Sequence, residues 1–253
     1  MMQIYALCCG FLEFDRHTFF PDQAPGTRMT IPVSSYLLIH PKGRVLFDTG
    51  VHRQAITDPI GRLGERRATR LTVRSQVGDD VVCQLARLGM RPTEITHVIN
   101  SHFHFDHCGG NEFFPQATFL VQSREMERAR GPDNPYEPRD FDHPLHYQLV
   151  DGDYDVFGDG QLVLIPTYGH TPGHQSLGVR DGQATQLVLT GDACYTQEHL
   201  DRDVLPQSVW NADAMSHSLT TLRNLRDTHG TTLFYGHDSG QWQAIRHAPE
   251  SLR

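Results

Sequence analysis

Between residues 100 and 111 the chain reads N-S-H-F-H-F-D-H-C-G-G-N, so His102, His104, Asp106 and His107 fall within six residues. Imidazoles crowded this closely offer lone pairs that one cation can share. A His-rich set with a carboxylate suits Zn²⁺ better than Mg²⁺ or Ca²⁺, which prefer all-oxygen shells. The competing reading is a His-rich surface loop, since the chain holds 16 His. Four potential ligands on one turn favour the metal. A structural zinc site would want four closed ligands, usually including Cys. Just upstream, Ile95, His97, Val98 and Ile99 lie in a β-branched run, which predicts a buried strand whose carboxyl end delivers the cluster.

The H-x-H-x-D-H string, followed by Gly109 and Gly110, resembles the metal-binding signature of the metallo-β-lactamase superfamily. There the remaining ligands are a His, an Asp and a second His. This sequence offers His170 in T-Y-G-H-T-P-G-H, Asp192 in L-T-G-D-A and His237 in F-Y-G-H-D, in that order. The resemblance covers nearly the whole chain. It implies an α/β (α+β) fold, an αββα sandwich of two mixed β-sheets flanked by helices. It also implies two Zn²⁺ ions, with Co²⁺, Mn²⁺ or Fe²⁺ as alternatives. His102, His104 and His170 would hold one, Asp106, His107 and His237 the other, and Asp192 would bridge them. The F-D-T-G at 47–50 is similar to the superfamily too, and implies that Asp48 orients ligands rather than binding metal.

The segment G-D-A-C-Y-T puts Tyr195 three residues after Asp192, a D-x-x-Y pattern that resembles the quorum-quenching N-acyl-homoserine lactonases. That likeness implies opening of a lactone ring by a metal-bridging hydroxide. Tyr195 would stabilise the oxyanion and Asp106 would pass the proton to the leaving alkoxide. Phe19 and Phe20, with Phe14 and Met29, are expected to line the substrate channel. A lactonase for another ring, such as 4-pyridoxolactone, is the alternative. A glyoxalase II-like thioesterase fits less well, because it carries a substrate-binding helical segment after the last ligand and here 16 residues follow His237. A metal-binding scaffold without catalysis is disfavoured by the complete ligand set. His174 and Cys108, both beside candidate ligands, are expected to be structural. His40, His143, His199 and His247 lack motif context and are expected in solvent.

At 253 residues and 38% hydrophobic content the chain can bury one large core, and residues 1–253 are expected to form a single hydrolase domain. A net charge of −8 argues against a general nucleic-acid binder, whose face must neutralise phosphates. Five cysteines without framework spacing point to a reducing compartment. No apolar run reaches membrane-helix length, and the first residues lack a signal-peptide pattern. A cytoplasmic enzyme, monomer or homodimer, with a small-molecule lactone as partner and no nucleic acid or membrane, is the expectation.

The elements that must carry these residues follow from periodicity and punctuation. Strands are predicted at Ile4–Cys9, at Ser35–His40 and Arg44–Phe47 as a hairpin around Pro41-Lys42-Gly43, and at Ala117–Val121. Further short strands are predicted at Val156–Phe157, Leu162–Ile165, Ser176–Val179, Leu187–Thr190 and Thr232–Tyr235. Helices are predicted at Asp79–Leu88, Ser123–Arg130 with Ser123 as N-cap, and Asn211–His229 ending at Gly230. Phe11–Pro32 and 131–146 read as loops. Residues 52–76, which carry Arg53, Arg62, Arg66, Arg67, Arg70 and Arg74, read as a loop or irregular helix. These arginines face solvent or form an entrance attracting anionic or oxygen-rich substrates.

Overall fold

Strand β1 (Gln3–Asp15) sends Ile4 and Ala6 to one apolar layer and Leu7 and Cys9 to another, the period of two that a sheet covered on both faces requires. It is joined by β2 (Arg28–His40), β3 (Gly43–Phe47), β4 (Leu71–Val73), β5 (His97–Ile99), β6 (Thr118–Gln122) and β7 (His146–Val150). Together they form a seven-stranded mixed sheet in the order β4-β1-β2-β3-β5-β6-β7. A five-stranded sheet, β12-β11-β10-β9-β8, is built from β8 (Tyr154–Asp155), β9 (Leu162–Pro166), β10 (Gln175–Asp181), β11 (Ala184–Leu189) and β12 (Thr232–Phe234). This architecture is a computed structural model that describes residues 2–182 and 184–252.

Between the sheets, Leu38, Val45, Phe47, Ile99 and Leu120 interleave with Leu162, Leu164, Leu177, Val179 and Leu189 in one cluster. The outer face of the first sheet packs Leu37, Leu46 and Val98 with Val81 and Leu85 of the helix Val81–Arg87. The outer face of the second packs Val188 and Leu233 on Leu219 and Leu222 of the helix Ala212–His229. Burying each such side chain contributes roughly 1.5–3 kcal/mol. The four layers, helix on sheet on sheet on helix, are those the ligand signature implied.

Strand direction gathers the candidate ligands at one edge. β3, β5 and β6 are parallel neighbours, so their carboxyl ends lie together. β9 and β11 both run antiparallel to β10 and β12 runs parallel to β11, so these three also end on a common side. Asp48 follows β3 and the His-rich turn follows β5. His170, Asp192 and His237 follow β9, β11 and β12.

Several expectations are corrected. The stretch Phe11–Pro32 is strand at both ends: β1 runs on to Asp15 and β2 starts at Arg28, past a register shift between Cys8 and Phe11, and only the residues between them form the loop. Residues 52–76 bear out the irregular helix, as three short helices, Gln54–Thr57, Pro59–Leu63 and Glu65–Ala68, but also hold the unexpected strand β4. Within 131–146 lies the helix Pro138–Phe141. Ser123 does not cap its helix: Gln122 holds that position, and the Ser123 hydroxyl donates to the Val150 carbonyl at 3.4 Å. The buried guanidinium of Arg62 pairs with the buried carboxylate of Asp140 and donates to the Arg139 carbonyl. Arg139 returns the bond to the carbonyls of Gly61 and Arg62, and Arg67 reaches the Pro135 carbonyl, so the two segments are clasped together.

Candidate metal centre

The His-rich turn is fixed against the F-D-T-G corner by backbone contacts. Asp48 N–H donates to the Ile99 carbonyl at 2.8 Å and Thr49 N–H to the His107 carbonyl at 2.7 Å. The approach is so close that a Cβ on Gly109 would lie 2.5 Å from the backbone of His52 and Phe105, and one on Gly110 2.6 Å from the Thr49 carbonyl. Only glycine fits at either position. Asp48 sits at φ 61°, a left-handed conformation that Asp tolerates better than most side chains. From there its carboxylate accepts from Ser101 N–H, Ser101 Oγ and His107 Nδ1 at 2.7–2.8 Å.

Two groups of side chains face each other at the sheet edge. In one, His102 Nε2, His104 Nδ1 and His170 Nε2 lie 2.8–3.2 Å from one another, with Asp192 alongside. The other joins Asp106, His107 and His237. Asp192 reaches both: one carboxylate oxygen is 3.2 Å from His170 Nε2, the other 3.2 Å from His107 Nε2 and 3.0 Å from His237 Nε2. All seven candidate ligands taken from the sequence are thus brought together.

The partners of the outer nitrogens explain why the inner ones point inward. His107 Nδ1 donates to Asp48, His237 Nδ1 to the Pro32 carbonyl at 2.9 Å, and His102 Nδ1 to Ser101 Oγ at 3.0 Å, which itself donates to Asp48. His170 Nδ1 faces the Tyr195 hydroxyl at 3.2 Å. Each partner occupies the outer nitrogen and so directs the inner one to the centre, where its lone pair can bind metal. Burial, reinforced by neighbouring imidazoles, pushes His102 and His170 well below the usual histidine range, and burial pushes His104 down to about 4. Burial would also lower His107 and His237, but the carboxylates of Asp192 and Asp106 outweigh it and hold both up. Asp192 is held well below the usual carboxylate range: burial opposes this, and His107 and His237 override it.

These residues fit a divalent cation. Three converging lone pairs at hydrogen-bond distance have no proton to share, and His107 Nε2 and Asp192 Oδ1 are buried without a hydrogen-bond partner. Leaving such atoms unpaired costs about 1–3 kcal/mol each, and a cation between them satisfies both. Removing the Asp48 carboxylate should loosen this arrangement from outside. Asp48→Asn is expected to weaken metal affinity or turnover roughly 10–100-fold, read by chelator competition alongside kcat/KM.

Neighbouring candidates fall outside the two groups. His174 accepts from Asp192 N–H through Nε2 at 2.9 Å and shares a hydrogen with Thr167 Oγ1, and burial pushes it down to about 3. It positions Asp192. Cys108 is buried against Phe103, Val121 and Met126. Tyr195 stands over the centre with its ring against His170 and His237. Phe19 packs on Tyr195 at 5.0 Å and on Phe14 at 5.4 Å. Phe20 is fully buried, its ring tilted against His199 and covered by the Arg16 guanidinium, so it backs the wall rather than forming its surface.

His40 and His199 are buried rather than solvated, and His247 packs on Trp242. His199 ties the Phe19 carbonyl at 2.9 Å to the Thr196 hydroxyl at 2.8 Å, joining the N-terminal loop to the segment that carries Tyr195. No local motif signals this, because its partner lies 180 residues away. His199→Leu leaves the Phe19 carbonyl unpaired and should cost about 1–3 kcal/mol of stability in denaturant unfolding.

With fold and site together, the class is defined: the profile of the metallo-beta-lactamase superfamily matches residues 29–237, and the chain belongs to that superfamily. Among individual relatives, it is 35% identical to the N-acyl homoserine lactonase AttM of Azorhizobium caulinodans, over 98% of this chain and 97% of that one. It is 31% identical to the N-acyl homoserine lactonase AiiA of Bacillus thuringiensis subsp. kurstaki, over 99% and 98%. Among solved structures, an N-acyl homoserine lactone hydrolase with the product N-hexanoyl-L-homoserine bound at its catalytic metal center superimposes with a TM-score of 0.89. The two share 30% identity over 98% of each chain. No helix among the described residues is long and apolar enough to cross a membrane.

Proposed function

We propose that this chain is a metal-dependent hydrolase that opens the ring of N-acyl homoserine lactones, a quorum-quenching activity, with residues 1–253 working as one catalytic domain. The observation that carries the proposal is Asp192, which presents one oxygen to each of two ligand groups beside a buried Tyr195. Curated relatives of that activity, matched end to end, support it. Two zinc ions are the proposed load: one on His102, His104 and His170, one on Asp106, His107 and His237, with Asp192 shared.

Bound metal supplies the positive charge that makes water acidic enough to attack near neutral pH and that offsets charge developing on the carbonyl oxygen. The chain's own groups do the rest. The Tyr195 oxygen accepts from His170 Nδ1–H, which leaves the phenolic hydrogen free to donate to that same carbonyl oxygen. Burial, with the Asp192 and Asp106 carboxylates, pushes the phenol further above its usual range, so it stays a donor throughout the working pH range. Asp106 takes the proton lost by water as the new C–O bond forms and returns it to the ring oxygen as the old bond breaks. Phe19, with Phe14 behind it, offers apolar surface to the acyl chain.

The test is elemental analysis after zinc reconstitution, coupled to hydrolysis of a panel of homoserine lactones, other lactones, thioesters and phosphodiesters. Two zinc ions per chain and a preference for acyl homoserine lactones are expected. A load that stays near one, or faster turnover of thioesters, contradicts the reading.

A further inference from the structure

We infer that Glu125 is the positioning residue that locks the His102, His104 and His170 half of the centre together, and so sets how tightly that half binds metal. Glu125 lies in the first turn of the helix Ser123–Arg130, directly after β6, and is fully buried. One carboxylate oxygen accepts from Phe103 N–H at 3.0 Å, and Phe103 stands between His102 and His104. The other accepts from Thr171 Oγ1 at 2.8 Å and from Gly173 N–H at 3.0 Å, in the loop that carries His170.

The two loops belong to different sheets: one follows β5 of the first, the other β9 of the second. A single carboxylate therefore bolts one sheet's ligand loop to the other's, within a few residues of each inward-facing nitrogen. The fit is close, since a Cβ on Gly173 would lie 2.3 Å from Glu125 N. The other half relies on different anchors, Asp48 for His107 and the Pro32 carbonyl for His237. Loss of Glu125 should therefore act on one half of the centre and spare the other. Hydrogen bonds to a buried charged acceptor are stronger than neutral ones and hold their donors more rigidly.

The inference rests on the proposed two-metal reading, and the experiment separates them. Glu125→Gln keeps the side-chain shape but turns an amide NH₂ toward donors that need an acceptor, breaking at least one of the three bonds. Metal-free wild type and E125Q, each checked for fold by circular dichroism, are titrated with zinc against a chelating dye. Wild type is expected to take up two ions. E125Q should retain one at unchanged affinity and bind the second about 10–100-fold more weakly, with saturating zinc restoring turnover at an unchanged KM. Unchanged affinity at both sites, or equal loss at both, overturns the role of Glu125. A single ion in wild type overturns the two-metal reading. Weaker binding of that one ion in E125Q would then still support Glu125, and equal binding would refute it.

Discussion

Asp192→Ala is expected to remove essentially all lactone hydrolysis and to lower the metal load. Among the described residues no other side chain spans the centre: its oxygens lie 3.0–3.2 Å from nitrogens of His170, His107 and His237, which belong to both ligand groups. Its loss should exceed the roughly 10–100-fold that losing an outer partner costs, because the inner shell itself is cut. The folded imidazoles also lose the charge that balances them. Elemental analysis and kcat/KM with an acyl homoserine lactone check this together. A variant that keeps a full metal load and turnover within tenfold of wild type would remove Asp192 from the centre.

Tyr195→Phe should behave differently, sparing the metals and slowing the chemistry. The ring contacts with Phe19, His170 and His237 survive the substitution, so the wall keeps its shape. What disappears is the hydroxyl, which lies 3.2 Å from His170 Nδ1 and, in the proposed mechanism, offers its hydrogen to the substrate. Loss of one donor to a developing oxyanion typically costs about 10²–10³ in rate, with metal charge on the same oxygen drawing the effect toward the lower end. The fall is expected in kcat with KM nearly unchanged, since the bond strengthens only as charge builds. Full metal occupancy with kcat equal to wild type on several lactones would exclude Tyr195 from the reaction.

Much of the centre was legible because its residues sit in short strings at strand ends. His102 to His107 occupy one turn, and G-H, G-D-A and Y-G-H each follow an apolar run that alternation marks as strand. The supports were not legible, since each acts through a distant partner. Glu125 reads as an acidic first-turn residue, His199 as a spare imidazole, and Arg62 as one of six arginines until Asp140 appears 78 residues later. The N-terminal hairpin was underestimated for a related reason. Its outer half carries Glu13 paired with Arg28 across the strands and with Arg74 just past β4, and such polar pairs do not follow the apolar alternation that announces a strand.

The clasp between the segment after β3 and the segment before β7 bears on how this enzyme can be recombined with its relatives. The Arg62 and Asp140 side chains are 6% and 2% exposed, and either one alone would be a charge stranded in the interior, a defect that costs about 3–5 kcal/mol. The two stretches are therefore a single transplantable cassette. A chimera that imports only one from a relative should emerge unstable, whereas exchanging both at once carries the buried ion pair across intact.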